Sequence, residues 1–183
     1  MGLCIEARSC KSHYSERLEE YTGKSYGSTD IGYFGFKFFR DALMKFATNG
    51  TFTDISKDKY FDGSNVIGGF MRDDTLAICM LREDFSENDI KEDFEAVVSY
   101  LNKLDDMKQK YPKLYSLFPL IAHCDCEGEI PYEQCRMILP VLKEFYETDK
   151  HNYGYSGWDY NFTEELINVI TECIKHKGKL LFC

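Results

Sequence analysis

Lys179-Leu180-Leu181-Phe182-Cys183 follows directly on Gly178 and reads as a strand: a short apolar run behind a helix-stopping glycine. A matching run, Leu3-Cys4-Ile5-Glu6-Ala7, lies near the start of the chain and is its natural partner. Between them the dominant pattern is helical. Ile90, Phe94, Val97, Val98, Leu101 and Leu104 step by three and four residues. So do Cys135, Ile138, Leu139, Leu142 and Phe145, and then Leu166, Ile167, Ile170, Cys173 and Ile174. Strands at the ends with helices between them predict an α+β fold, helix-rich, with a small sheet pairing the N- and C-terminal strands.

A chain of 183 residues suits one well-buried domain, taken here as 1–183, with 50–85 a loop-rich insertion containing a strand-length run from Thr75 to Leu81. A hydrophobic content of 44% and an aromatic content of 15% describe a globular chain. No apolar run reaches the ~18–20 residues of a membrane helix, and the start lacks the layout of a signal peptide. The expected location is therefore cytoplasmic, with no membrane partner. The net charge of −9 argues against nucleic acid as a partner and favours a basic protein or simple solubility. Eight cysteines in such a chain read as reduced thiols, with Cys79 and Cys173 placed as inert core residues.

Two segments carry the polar chemistry. In the first, Ser28-Thr29-Asp30 supplies N-cap chemistry for a helix running to about Thr48 and closed by Asn49-Gly50. Lys24 to Tyr33 is then a small-residue loop opening that helix, with Lys37 and Arg40 one and two turns in. Helix N-termini attract anions, and tyrosine or tryptophan can stack on a ring. Ser28, Tyr33, Lys37 and Arg40, joined by Trp158, are the candidate ligand-binding residues. The helix is apolar on most of its circumference, so it is central to the core or presents aromatics to a partner. Phe34 and Phe38 are assigned to the core.

The second segment is His123-Cys124-Asp125-Cys126-Glu127-Gly128-Glu129-Ile130, ahead of a helix starting near Pro131 that Pro140 should kink or split. As a calcium loop it lacks carboxylates at its two most demanding positions, His123 and Gln134. As a zinc site, His123, Cys124, Cys126 and Cys135 supply suitable ligands without the familiar paired spacing. We read it as a turn. Asp125 caps backbone donors, Gly128 takes a positive φ, Ile130 anchors to the core and His123 bonds locally. No metal or other cofactor is expected. His123 and Asp125 remain candidate ligand contacts, and with Glu127 they are the residues a metal-dependent enzyme would use.

Phe118-Pro119-Leu120-Ile121-Ala122-His123-Cys124-Asp125-Cys126-Glu127-Gly128-Glu129-Ile130, the helix with Cys135, the Met-Gly-Leu start, Phe39-Arg40 and the ending Leu180 to Cys183 together resemble a family of small bacterial and phage proteins. In that family a His-Ser-Asp-Cys-Asp/Glu-Gly-Glu segment recurs, and Cys124 stands here where Ser is usual. The resemblance implies a shared fold and brings no activity with it. Its occurrence in bacteria and phages, with no catalytic motif visible, suggests a non-catalytic binding protein in phage–host conflict. Such an anti-defence protein would sequester a small anionic, nucleotide-like ligand or block a defence-system protein, with self-association allowed. The alternatives are the metal-dependent enzyme and a toxin-immunity protein.

Overall fold

The computed structural model describes residues 2–15, 20–51, 102, 105–123, 128–149 and 160–183. Of the proposed insertion at 50–85, residues 52–85 lie outside these residues, and with them the strand at 75–81 and Cys79. So does most of the helix expected from the Ile90–Leu104 stripe; residues 102 and 105–110 are described and helical.

The fold is α+β. Its sheet is built from β1 (Gly2–Arg8), β4 (Ser25–Gly32), β5 (Gly128–Pro131) and β6 (Lys179–Phe182), in the order β4-β1-β6-β5 with every neighbour antiparallel. β1 pairs β6 through Ile5↔Phe182, Glu6↔Leu181 and Ala7↔Leu180, so the expected pairing of first and last strands holds. Alternation then sorts the side chains. Leu3, Ile5 and Ala7 of β1, Leu180 and Phe182 of β6, Ile130 of β5 and Ile31 of β4 join the main core. Cys4, Glu6 and Arg8 take the outer face. A second, two-stranded hairpin, β2 (Tyr14–Ser15) and β3 (Glu20–Tyr21), is tied to that face by Arg8. The Arg8 guanidinium bonds Glu6 at 2.5 Å and donates to the carbonyls of Tyr21 at 2.8 Å and Thr22 at 3.3 Å.

The inner face packs against α1 (Tyr33–Ala47), α3 (Tyr132–Asp149) and α4 (Tyr160–Lys175), while α2 (Pro112–Ile121) packs on α1 and α3 and joins the same core. Phe39 of α1 meets Phe162 of α4 edge-on at 5.0 Å and Phe145 of α3 at 6.2 Å, while Phe36 approaches Phe182 at 6.1 Å. Edge-to-face aromatic pairs add to the burial that already holds helices to a sheet. Helix α3 runs through Pro140 as one element and is not split.

Two helices end in the same backbone motif. At α1, Gly50 N–H donates to Lys45 O (2.7 Å) and Asn49 N–H to Phe46 O (3.2 Å), with Asn49 at φ +51°. At α4, Gly178 N–H donates to Cys173 O (2.8 Å) and Lys177 N–H to Ile174 O (3.1 Å), with Lys177 at φ +47°. Both are Schellman endings. The expected stop at Gly178 is correct, but the left-handed residue is Lys177. Gly178 is required for another reason: a Cβ there would lie 2.3 Å from the Arg8 carbonyl oxygen.

The largest departure from the sequence reading is at Ser25–Gly32. Ser28-Thr29-Asp30 does not cap a helix. It is strand, paired to β1 as Glu6↔Ser28, Ile5↔Thr29 and Cys4↔Asp30. Helix α1 starts at Tyr33, with Gly32 as N-cap and no side-chain cap bond. Capping chemistry is a local preference, whereas pairing along the whole of β1 gives every second backbone group of β4 a partner and sinks Thr29 and Ile31 into the protein. β5 is likewise a strand within the expected turn, and α3 begins after it at Tyr132 rather than at Pro131.

Candidate functional site

The face of α1 decides which residues can meet a partner. Phe36, Phe39, Arg40, Leu43, Met44 and Ala47 follow the three- and four-residue steps of a buried stripe. The remaining aromatics are left on the other side. Phe34 is 80% exposed and Phe38, one turn later, is 45% exposed. Assigning these two rings to the core was wrong, because α1 has more large apolar residues than one stripe can hold. Lys37 lies between them, its ammonium 2.8 Å from Asp41 and 5.6 Å from the Phe38 ring centre. Tyr33 is half-buried and packed against the core rather than standing in an exposed cleft.

No known family model, curated protein or solved structure matches this chain.

Arg40 is the second notable group, and it is structural. Its side chain is 0% exposed, its Nη1 donates to the His123 carbonyl at 2.6 Å, and its guanidinium carbon sits 4.7 Å over the Phe36 ring. A cation held this way fastens α1 to the end of α2 and cannot reach a ligand from solvent. Ser28 is exposed on β4, Tyr33 is packed, Lys37 is engaged by Asp41 and Arg40 is buried. Among the described residues, these four side chains therefore do not gather into the expected helix-start anion pocket. Trp158 and Asp125 lie outside the described residues.

His123 is half-buried and stacks on Phe182 with ring centroids 3.6 Å apart and 18° between planes. Gly128 takes φ +123° and Ile130 is buried, as the turn reading requires. Of the runner-up zinc set, Cys124 and Cys126 lie outside the described residues. Cys135 points into the core, its sulfur 3.8 Å from Cys173 Sγ and 3.9 Å from the Ile130 carbonyl. Among the described residues no three histidine, cysteine or carboxylate side chains gather as metal ligands would.

The thiols have their own consequence. The Cys173 hydrogen bond and burial push the Cys135 thiol well above the usual range, and burial, with Cys183 and Asp30 beside it, pushes Cys4 up to about 12. A thiol whose folded value is raised binds its proton more tightly when folded. Its contribution to stability is whole below the unfolded value of roughly 8.5 and is lost as the pH rises through the folded one. Reduced protein should therefore show a melting temperature that declines from about pH 9 upward. Cys4→Ser should make the decline between pH 9 and 12 shallower, and equal slopes in the two proteins would contradict the assignment to Cys4.

Sequence reasoning missed Phe34 and Phe38 as surface residues, although a signal was present. Phe34 and Phe38 are four apart, and both fall off the 36-39-40-43-44-47 stripe.

Proposed function

We propose that this chain is a non-catalytic binding protein whose contact face is the first half of α1, and that its partner is a protein. The observation that supports this most directly is the pair Phe34 and Phe38, exposed one turn apart. Aromatic side chains that leave water for a partner's pocket are the residues that carry binding energy at interfaces. The net charge of −9 suits a partner whose socket is bordered by basic residues. A defence-system protein fits the phage–host conflict role suggested by the resemblance in the His123 region. Sequestration of a nucleotide is less well supported, because Ser28 and Arg40 are not arranged to hold an anion.

The test compares wild type with Phe34→Ser/Phe38→Ser as baits in host lysate, followed by calorimetry with whatever protein wild type retains. The double variant should melt within about 2 °C of wild type, since exposed side chains contribute little to folding. It should bind the captured protein at least about 100-fold more weakly, the loss expected for two aromatic anchors. Unchanged affinity would remove α1 from the interface. Concentration-dependent dimers lost in the double variant would make the partner a second copy. Tight binding of a nucleotide that survives both substitutions would favour the sequestering role instead.

A further inference from the structure

We propose that Cys4 and Cys183 form a redox-active pair on the outer face of the sheet, closing to a disulfide when a hydroperoxide reaches it. The pairing of β1 with β6 continues one residue beyond the strand. Cys4 N–H donates to the Cys183 carbonyl at 2.7 Å and Cys183 N–H to the Cys4 carbonyl at 3.0 Å. Residues that exchange both backbone bonds stand opposite each other with Cα atoms about 5.5 Å apart, inside the span of roughly 4.4–6.8 Å that a disulfide bridges. Ile5 and Phe182 face the core, so alternation sends both sulfurs to the opposite face. The Cys183 sulfur lies 3.8 Å from the Cys4 carbonyl oxygen, on the Cys4 side of the pair. Cys183 is exposed and Cys4 is half-buried, with Asp30 on its other flank in the Cys4↔Asp30 pair.

The exposures set the order of events. Cys183 is reached first. Its sulfur attacks one oxygen of the peroxide, the O–O bond breaks, and the displaced oxygen leaves with the thiol proton, as water from hydrogen peroxide or as an alcohol from an organic hydroperoxide, giving a sulfenic acid. The Cys4 sulfur then attacks the Cys183 sulfur, forming the S–S bond as the S–O bond breaks. The departing hydroxide takes the Cys4 proton as a second water. Two thiols and one hydroperoxide give one disulfide and two waters when the oxidant is hydrogen peroxide. Burial of Cys4, which holds its proton tightly, suits the resolving role better than the attacking one. The other close pair, Cys135 and Cys173, is fully buried, so solvent oxidants do not reach it.

The full chain, reduced and then treated with one equivalent of hydrogen peroxide, is mapped by non-reducing peptide mass spectrometry and melted. A peptide pair joining residues 4 and 183 is expected. The link would close residues 4–183 into one loop, and the melting temperature should rise by roughly 10 °C, reversibly with dithiothreitol. Cys183→Ser, a change at an exposed position, should abolish both effects. In Cys4→Ser, dimedone should trap the Cys183 sulfenic acid. Recovery of Cys183 as a sulfinic acid, linked to Cys10, or linked to a second copy, with Cys4 still a free thiol, would overturn the proposal.

Discussion

Arg40→Ala is expected to lower the stability of the protein by about 3–5 kcal/mol, the sum of a cavity and a lost charged hydrogen bond. The side chain is completely enclosed, lies over Phe36 at 4.7 Å, and donates to the His123 carbonyl at 2.6 Å. Its removal leaves that carbonyl without this donor and opens a void where α1 meets the end of α2. Single domains have only about 5–15 kcal/mol in total, so the variant should unfold at much lower urea concentration and melt roughly 10 °C or more below wild type. Arg40→Lys should recover only part of the loss, because an ammonium cannot reproduce the flat guanidinium that stacks on Phe36. Urea denaturation of the two variants checks this directly. Wild-type stability in Arg40→Ala, together with loss of binding to a nucleotide, would return Arg40 to the ligand-binding role read from the sequence.

Gly178→Ala should be nearly as damaging for a different reason. The added Cβ would stand 2.3 Å from the Arg8 carbonyl oxygen, an approach no side chain tolerates. Relief requires β1 or the end of α4 to move, and neither is free. Gly178 donates to Cys173 O and accepts from Tyr132 N, so one residue fixes the end of α4 and the start of α3. Forcing a methyl group into such a contact costs typically 1–3 kcal/mol, and a backbone oxygen as the obstacle puts the expectation at about 3 kcal/mol or above. Lys177→Gly is the control. It relieves a positive φ and should be neutral or mildly stabilising when followed by thermal melting. Equal and small effects of the two changes would mean that the Arg8 contact relaxes easily.

Periodicity was enough to recognise the apolar stripes of α3 and α4, because a helix that buries one side must repeat every three to four residues. The alternation in Leu3–Ala7 and the apolar run Leu180–Phe182 were enough to pair the outer ends of the chain. Helix stops at Asn49-Gly50 and Gly178 were legible, as was the positive φ of Gly128, because each rests on local backbone sterics. Ser25–Gly32 was not legible. Ser28, Thr29 and Asp30 are good caps in any isolated segment, and only β1 alongside makes them a strand. Arg40 and Phe34 show the same limit from opposite directions. A charged residue sank because Phe36 and the His123 carbonyl enclose it, and a phenylalanine surfaced because the stripe beside it was already full. The sequence by itself determined the class of fold, the pairing of its end strands and where helices stop, all set by local sterics and apolar spacing. Which polar groups are buried, which aromatics face solvent and which thiols lie opposite one another were decided only in the tertiary structure, because each depends on residues far away along the chain.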